Sequence, residues 1–471
     1  MGFMVNLKQK MDDHALESIP DNERKSWLQL SNNTMGVCST IAIMMFGALA
    51  TFSAGMKVGL LAGIVTILIG TAIGFLLGDI SRKEGLSSTV ITRYYGFGVK
   101  GSVVSSIVFG FMVLGFLALE NALLYNGVLF FFKMKPTALN AVVIYGIFTL
   151  AWISLALFGI KLVYRVAGVT LLALTIVLLY MIIHTMGFSG ISLGESMSFG
   201  RQFGPSQGIM DFVAAFNILI GSSGALALTA ADSCRYARTG KDVFLANLTG
   251  MLVMNIGMVI AGGTIAYIGM EKVVNHYVAT RGLTHQAASA VALNDMASFF
   301  IIMAGVIGFI VLFLANGKAQ VLNTYSGSLA MTNVFSAFGW KGNRALSVVL
   351  CNIIALIMIA MNILGLVAKW LNMLGVLTTC LATIVIIDHY WVKKITHKEV
   401  GVHVCDTLNV AGVLTLILAS IAALTMSFIP MPFVTSTVIS IVLYPILRLY
   451  IFKPNLASSQ HDHPTSAEIK A

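Results

Sequence analysis

Two ionisable side chains stand deep inside apolar runs, and the search for chemistry begins with them. Glu120, followed by Asn121, interrupts an apolar run over 101–132, and Lys318 sits in Asn316-Gly317-Lys318-Ala319-Gln320 within a run over 296–333. A charge in hydrocarbon costs at least about 2.5–3.5 kcal/mol on insertion scales, so such residues mark function or are compensated by a partner. Glu120 can hold a cationic group of a ligand, relay a proton, or pair with Lys318. Lys318 can form that structural pair, snorkel, or titrate, as buried lysines do. Gln320 and Asn323, three residues apart on one helix face, can read the edge of a heterocycle or hydrogen-bond a neighbouring helix. Asp232 and Arg235, close to Arg238 and Lys241, fit either an ion-pair gate or a surface pair. His184 and Asp211 lie near run ends and read as solvated positions.

These residues do not form the pattern of an enzyme. The sequence has no HExxH, no matched acid pairs and no nucleotide-binding loop, and it lacks the repeated polar filter of a channel. Cys38, Cys234, Cys351, Cys380 and Cys405 show neither CxxC nor metal spacing, so core packing accounts for them and no metal site is expected. No cofactor is expected either, beyond a coupling Na⁺ or H⁺. The formal charge of +10 comes from cations scattered through short loops, which signals membrane topology and not a nucleic-acid partner.

The elements that must position these residues follow from composition. Of 471 residues, 58% are hydrophobic and 10% charged, against about 25% charged in soluble domains. About twelve runs approach or exceed the roughly 20 residues that cross the hydrocarbon core. They lie near 34–55, 58–80, 101–132, 137–159, 162–185, 209–232, 243–269, 296–333, 344–365, 367–388, 407–429 and 432–452, which makes an all-α membrane protein. The eighth is too long for one straight span and must tilt, kink or split. The expected organisation is an N-terminal tail over 1–33, a ten-helix transport core over 34–388, two additional helices over 407–452, and a disordered tail over 453–471. No cleavable signal peptide is evident, since the first residues are polar and charged. With the N-terminus inside, 21 Lys and Arg fall on the cytoplasmic side and 7 outside, with Lys318 within a span. Both termini are therefore expected in the cytoplasm, and the chain in a plasma (inner) membrane with lipid around it.

Permeases with internal repeats bind substrate where helices are interrupted at matching positions of the two halves. Span 1 carries Phe46-Gly47-Ala48-Leu49-Ala50-Thr51-Phe52-Ser53-Ala54-Gly55, and span 6 carries Gly221-Ser222-Ser223-Gly224. A five-plus-five inverted repeat places matching breaks five spans apart. Small residues also serve close helix packing, and that reading stays open.

The motifs around these positions point to a family. Ala230-Ala231-Asp232-Ser233-Cys234-Arg235-Tyr236-Ala237-Arg238 closes span 6. Gly85-Leu86-Ser87-Ser88 leads to Thr92-Arg93-Tyr94-Tyr95-Gly96-Phe97-Gly98 between spans 2 and 3. Tyr325-Ser326-Gly327-Ser328-Leu329-Ala330 lies in span 8, and Ile386-Ile387-Asp388-His389-Tyr390 ends span 10. Over about residues 20–450 the chain resembles nucleobase–cation symporter family 1, the purine and cytosine permeases. The resemblance implies a five-plus-five inverted-repeat transporter fold with broken helices 1 and 6. It also implies import of a flat heterocycle by alternating access, commonly with Na⁺ or H⁺.

In cytosine permeases the ring lies between aromatics of spans 3 and 6, with polar contacts from spans 1, 6 and 8. Carried over, the resemblance assigns Phe116 to the span-3 aromatic and Ser222 to a family serine. Gly47 and Ser53 of span 1, with Glu120, Asn121, Gln320 and Asn323, complete the expected substrate site. Ser223 stands where cytosine permeases have their second aromatic, and Lys318 matches a span-8 hydroxyl residue that coordinates their Na⁺. These two departures weigh against sodium-driven cytosine uptake. The expectation is a secondary transporter for a nucleobase such as cytosine or a purine, or a related heterocycle. The alternative is a permease for a cationic or amine-bearing metabolite, such as a pyrimidine vitamin precursor, working on protons or without an ion through Lys318 and Glu120. A membrane enzyme is the remote alternative.

Overall fold

The computed structural model describes residues 18–158, 160–340, 343–396, 406–426 and 429–453. The tail over 454–471 and residues 1–17 lie outside the described residues. The apolar runs become helices because lipid leaves backbone N–H and C=O groups no partner but each other. Among the described residues, nine helices are long and apolar enough to cross a membrane, one bent pair forms a further span, and two shorter apolar helices complete the set.

Span 1 is the bent pair, α1 (Trp27–Cys38) and α2 (Ile41–Ala54). Then follow α3 (Met56–Glu84), the short α4 (Ser88–Tyr94), α5 (Gly98–Phe131), α6 (Ala138–Phe158) and α7 (Ile160–Ser189). The second half holds α8 (Ile209–Cys234), α9 (Gly240–Leu252), α10 (Met258–Arg281), α11 (His285–Leu293), α12 (Met296–Ala337), α13 (Arg344–Ala360) and α14 (Val367–Ile387). α15 (Val410–Thr425) and α16 (Pro432–Ile446) are the two additional helices. α9 and α10 form one rod interrupted by a π-turn over Val253–Gly257.

Several expectations shift. Span 1 starts at Trp27, inside the stretch read as a tail, because its polar residues are buried against α9: Thr249 Oγ1 donates to Ser31 Oγ at 2.8 Å and Thr34 Oγ1 to the Ala246 carbonyl at 3.0 Å. The break in span 1 is not in the glycine-rich run but at Ser39-Thr40, where the axis bends by 66°. α2 stays helical through Ala54 and ends at Gly55, whose φ of 87° suits glycine alone. Span 6 is not broken at all: α8 is helical across Gly221–Gly224. Its glycine serves close approach, since a Cβ on Gly221 would stand 2.3 Å from the Leu371 carbonyl oxygen of α14. Gly47 is likewise a packing residue, with a Cβ there falling 2.6 Å from the Met258 carbonyl oxygen. The overlong eighth span is kinked, at Gly305 (φ 55°, ψ −132°).

One face of the bundle gathers cations. Arg24 Nη1 donates to the carbonyls of Arg82 (2.6 Å) and Ala237 (3.2 Å), and Lys25 N–H donates to the Tyr236 carbonyl. This joins the N-terminal segment to the 2–3 and 6–7 connections on one basic face, as the charge count requires. The two additional helices are tied in by buried polar contacts. Asp388 accepts from Gly96 N–H (2.8 Å) and from the Tyr444 hydroxyl (2.7 Å), and Asn409 donates to that hydroxyl at 3.0 Å. Arg448 pairs with Asp406 beside them.

Candidate functional site

The Ser39-Thr40 break exposes a helix C-terminus and a helix N-terminus in mid-bundle, and the two intramembrane charges meet these ends. Thr40 is the N-cap of α2: its hydroxyl accepts from Ile43 N–H and is hydrogen-bonded to the Glu120 carboxyl. Asn316 Oδ1 accepts Ile41 N–H at 3.2 Å, a second free donor of that first turn. On the other side, Lys318 Nζ donates at 2.8 Å to the hydroxyl of Ser39, the C-cap of α1. A carboxylate thus faces the positive end of α2, and an ammonium faces the negative end of α1. Each charge is compensated by half of a broken helix. Glu120 and Lys318, 2% and 4% exposed, attract one another through space but make no direct hydrogen bond.

A small cavity opens beside the break. Phe116 and Glu120 of α5, one turn apart, share it with Ser222 and Thr229 of α8, Ile43 of α2, and Ala319 and Asn323 of α12. Glu120 Oε2 is buried without a hydrogen-bond partner. Phe116 meets Trp370 edge-to-face at 5.0 Å between centroids, and Phe46 at 6.2 Å. The cavity measures about 30 Å³. That admits water but not a heterocycle, whose pockets run to about 300 Å³ or more, so occupation requires the lining helices to move apart.

The other expected site residues fall elsewhere. Asn121 Oδ1 accepts from Gln320 Nε2 (2.6 Å) and Trp152 Nε1 (2.8 Å), and Gln320 also donates to the Leu117 carbonyl. These two amides fasten α5 to α12 and α6, the helix-bonding alternative. Ser223 receives Asn255 Nδ2 at 2.9 Å at the π-turn and does not itself line the cavity that Ser222 lines. Ser53 lies at the face opposite the cations, where Arg201 donates to its carbonyl and pairs with a buried Asp211 at 2.6 Å. That pairing also corrects the reading of Asp211 as solvated. Asp232 accepts Ser88 N–H at 2.6 Å on the basic face, with Arg235 buried nearby. Three contributors were not singled out from the sequence: Ser39, Thr40 and Trp370. Ser39-Thr40 before an apolar run is a helix-start signal, but it does not tell a break within a span from the start of one.

A larger cavity of about 680 Å³ lies between α5, α12, α13 and α14, lined by Phe111, Met331, Met358 and Trp370. It is almost wholly apolar and is walled from the break by the Phe116–Trp370 contact. Lacking converging polar groups, it is not the candidate site despite its size.

A family model described as permease for cytosine/purines, uracil, thiamine and allantoin matches residues 18–436. Among solved structures, the inward-facing conformation of Mhp1 aligns with a TM-score of 0.70 at 17% identity, over 91% of each chain. Mhp1 described as a nucleobase-cation-symport-1 family transporter, closed with bromovinylhydantoin bound, aligns at 0.67 and 17%, over 94% of this chain and 97% of that one. A substrate-bound, outward-open Na⁺-coupled sialic acid symporter aligns at 0.60 and 13%, over 90% of each. At such identities the likeness shows the fold, an inverted-repeat transporter. No curated protein sequence matches.

Proposed function

Because the chain belongs to the family of permeases for cytosine/purines, uracil, thiamine and allantoin, we propose that it imports a flat heterocycle that presents an exocyclic amino group. It is a multi-pass membrane transporter; the finer reading rests on Glu120. A buried carboxylate oxygen without a partner is costly, and a ligand N–H satisfies it. Cytosine, an aminopurine or an aminopyrimidine offers an exocyclic amine beside a π-face for Phe116, whereas uracil has ring N–H groups but a carbonyl oxygen in place of that amine. The same observation supports the second reading, a cationic amine-bearing heterocycle, whose charge Glu120 would hold.

Motion at the Ser39-Thr40 joint opens the cavity, first to one face and then to the other. Asp232 and Arg235 stand at the basic face, taken as cytoplasmic from the charge count, where they would close the inner exit. The host is read as a plasma (inner) membrane, with lipid around the chain. Uptake of labelled cytosine into proteoliposomes, competed with adenine, uracil, aminopyrimidines and small amines, tests the reading. Competition by the amino-bearing rings ahead of uracil is expected. Preference for uracil, or no competition by any ring, overturns it.

A further inference from the structure

We infer that Lys318 is a built-in counter-charge for the broken first span, and that the transport cycle takes up no Na⁺. This rests on the transporter reading above and deepens it. In transporters with discontinuous helices, the C-terminal end of a half-helix and its unwound carbonyls hold the coupling cation. Here that end belongs to α1, it lies at a 66° bend, and an ammonium already stands against it. Lys318 is 4% exposed and its Nζ donates to Ser39 Oγ at 2.8 Å.

The hydroxyl and amide oxygens that stand at the break are already engaged. The Ser39 hydroxyl accepts from Lys318, Asn316 Oδ1 accepts Ile41 N–H, and the Thr40 hydroxyl serves Ile43 N–H and Glu120. Of the side-chain oxygens at the break, one Glu120 oxygen remains without a partner, and Gln320 Oε1 and Thr324 Oγ1 lie unpartnered farther along α12. A hard cation needs a shell of oxygens, and a cation entering here would also meet an ammonium of the same sign. The residues present do not fit Na⁺. The ionisable groups facing Lys318 are Cys38 of α1 and Glu120 of α5. Glu120 therefore balances the tethered charge and leaves the pair neutral with no ion bound.

Two measurements on the purified wild-type chain test this, and one of them does not depend on knowing the substrate. Initial uptake of labelled cytosine or aminopyrimidine into proteoliposomes should agree within about twofold between Na⁺ and choline media, since an ion without differential affinity for the states shifts nothing. A loss of about tenfold or more without Na⁺, the scale of coupled sites, overturns the inference. The melting temperature in detergent should show no rise specific to NaCl over choline chloride, and a Na⁺-specific rise overturns it even if no heterocycle is transported. Failure of every heterocycle, with a flat Na⁺ titration, counts against the substrate reading and not against this one. Lys318→Met removes the charge at similar length. Wild-type uptake by this variant without Na⁺ would show that the ammonium is dispensable and sink the inference. Should the variant fail to fold, the two wild-type measurements still decide.

Discussion

Glu120→Gln changes the one atom on which the substrate reading depends. The native carboxyl is hydrogen-bonded to Thr40, and its Oε2 has no partner. Glutamine keeps the shape and one oxygen for Thr40, and sets an NH₂ where a substrate N–H would arrive. A hydrogen bond to a charged group contributes about 1.5–3 kcal/mol, and about 1.4 kcal/mol is tenfold in affinity. An amino-bearing ring should therefore bind about 10- to 100-fold more weakly. A ring such as uracil, with a carbonyl oxygen in place of that amine, gains a donor there, so the cytosine-over-uracil preference should narrow or reverse. Lys318 keeps its bond to Ser39, and the fold keeps its caps. The assay is competition of labelled-substrate uptake in proteoliposomes by cytosine and by uracil, with the variant's elution profile checked against wild type. A folded variant whose preference stays within about twofold of wild type would remove Glu120 from substrate recognition.

Four further outcomes are expected. Phe116→Ala should weaken binding by about 1–3 kcal/mol through loss of a π-face, seen in competition uptake as a change in apparent affinity for all rings alike. Gln320→Ala leaves Asn121 without one of its donors and should cost about 1–3 kcal/mol of stability, lowering the melting temperature without altering which ring is preferred. Gly221→Ala sets a Cβ 2.3 Å from the Leu371 carbonyl and should destabilise by about 1–3 kcal/mol; an unchanged melting temperature would contradict the α8–α14 contact. Burial pushes the Asp295 carboxyl at the start of α12 up to about 6, partly offset by its hydrogen bond from Tyr277. Its folded value lies above its unfolded one, so the stability it contributes is present at low pH and is lost as pH rises from about 4 to about 6. The full effect is at most about 3 kcal/mol. Thermal melts at either end of that window should differ for wild type and differ less for Asp295→Asn.

The spans were legible because a hydrocarbon solvent writes itself into run length, and Gly305 is the kink that the long eighth run demanded. The position of the break was not legible. Glycines at 47 and 221 looked like hinges, but whether a small residue unwinds a helix or lets another helix approach depends on what lies across from it. Met258 and Leu371 decide that, and they are remote in sequence. The true break at Ser39-Thr40 is held by Asn316 and Lys318, some 275 residues away, so the local N-cap signal there could not show that a bend rather than a span start was meant. Of the residues lining the candidate cavity, Phe116 and Ser222 were expected from the resemblance, Glu120 from its charge within an apolar run, and Asn323 from its spacing to Gln320. Asn121 and Gln320 looked equally suited, but they face each other across two helices, and sequence spacing fixes a face without naming its neighbour.

Asp388 carries a consequence for modularity. Ten helices would suffice for the inverted repeat, and the last two look like an appendage that evolution or an engineer could discard. Yet one of this carboxylate's two hydrogen bonds comes from Tyr444 of α16, itself oriented by Asn409 at the start of α15. A chain cut after the tenth helix would remove the Tyr444 hydrogen bond from this acid, at the end of the helix whose Trp370 flanks Phe116. The last two helices are therefore part of the inheritance unit: they must be kept, or supplied in trans as a separate fragment, for the core to keep its shape.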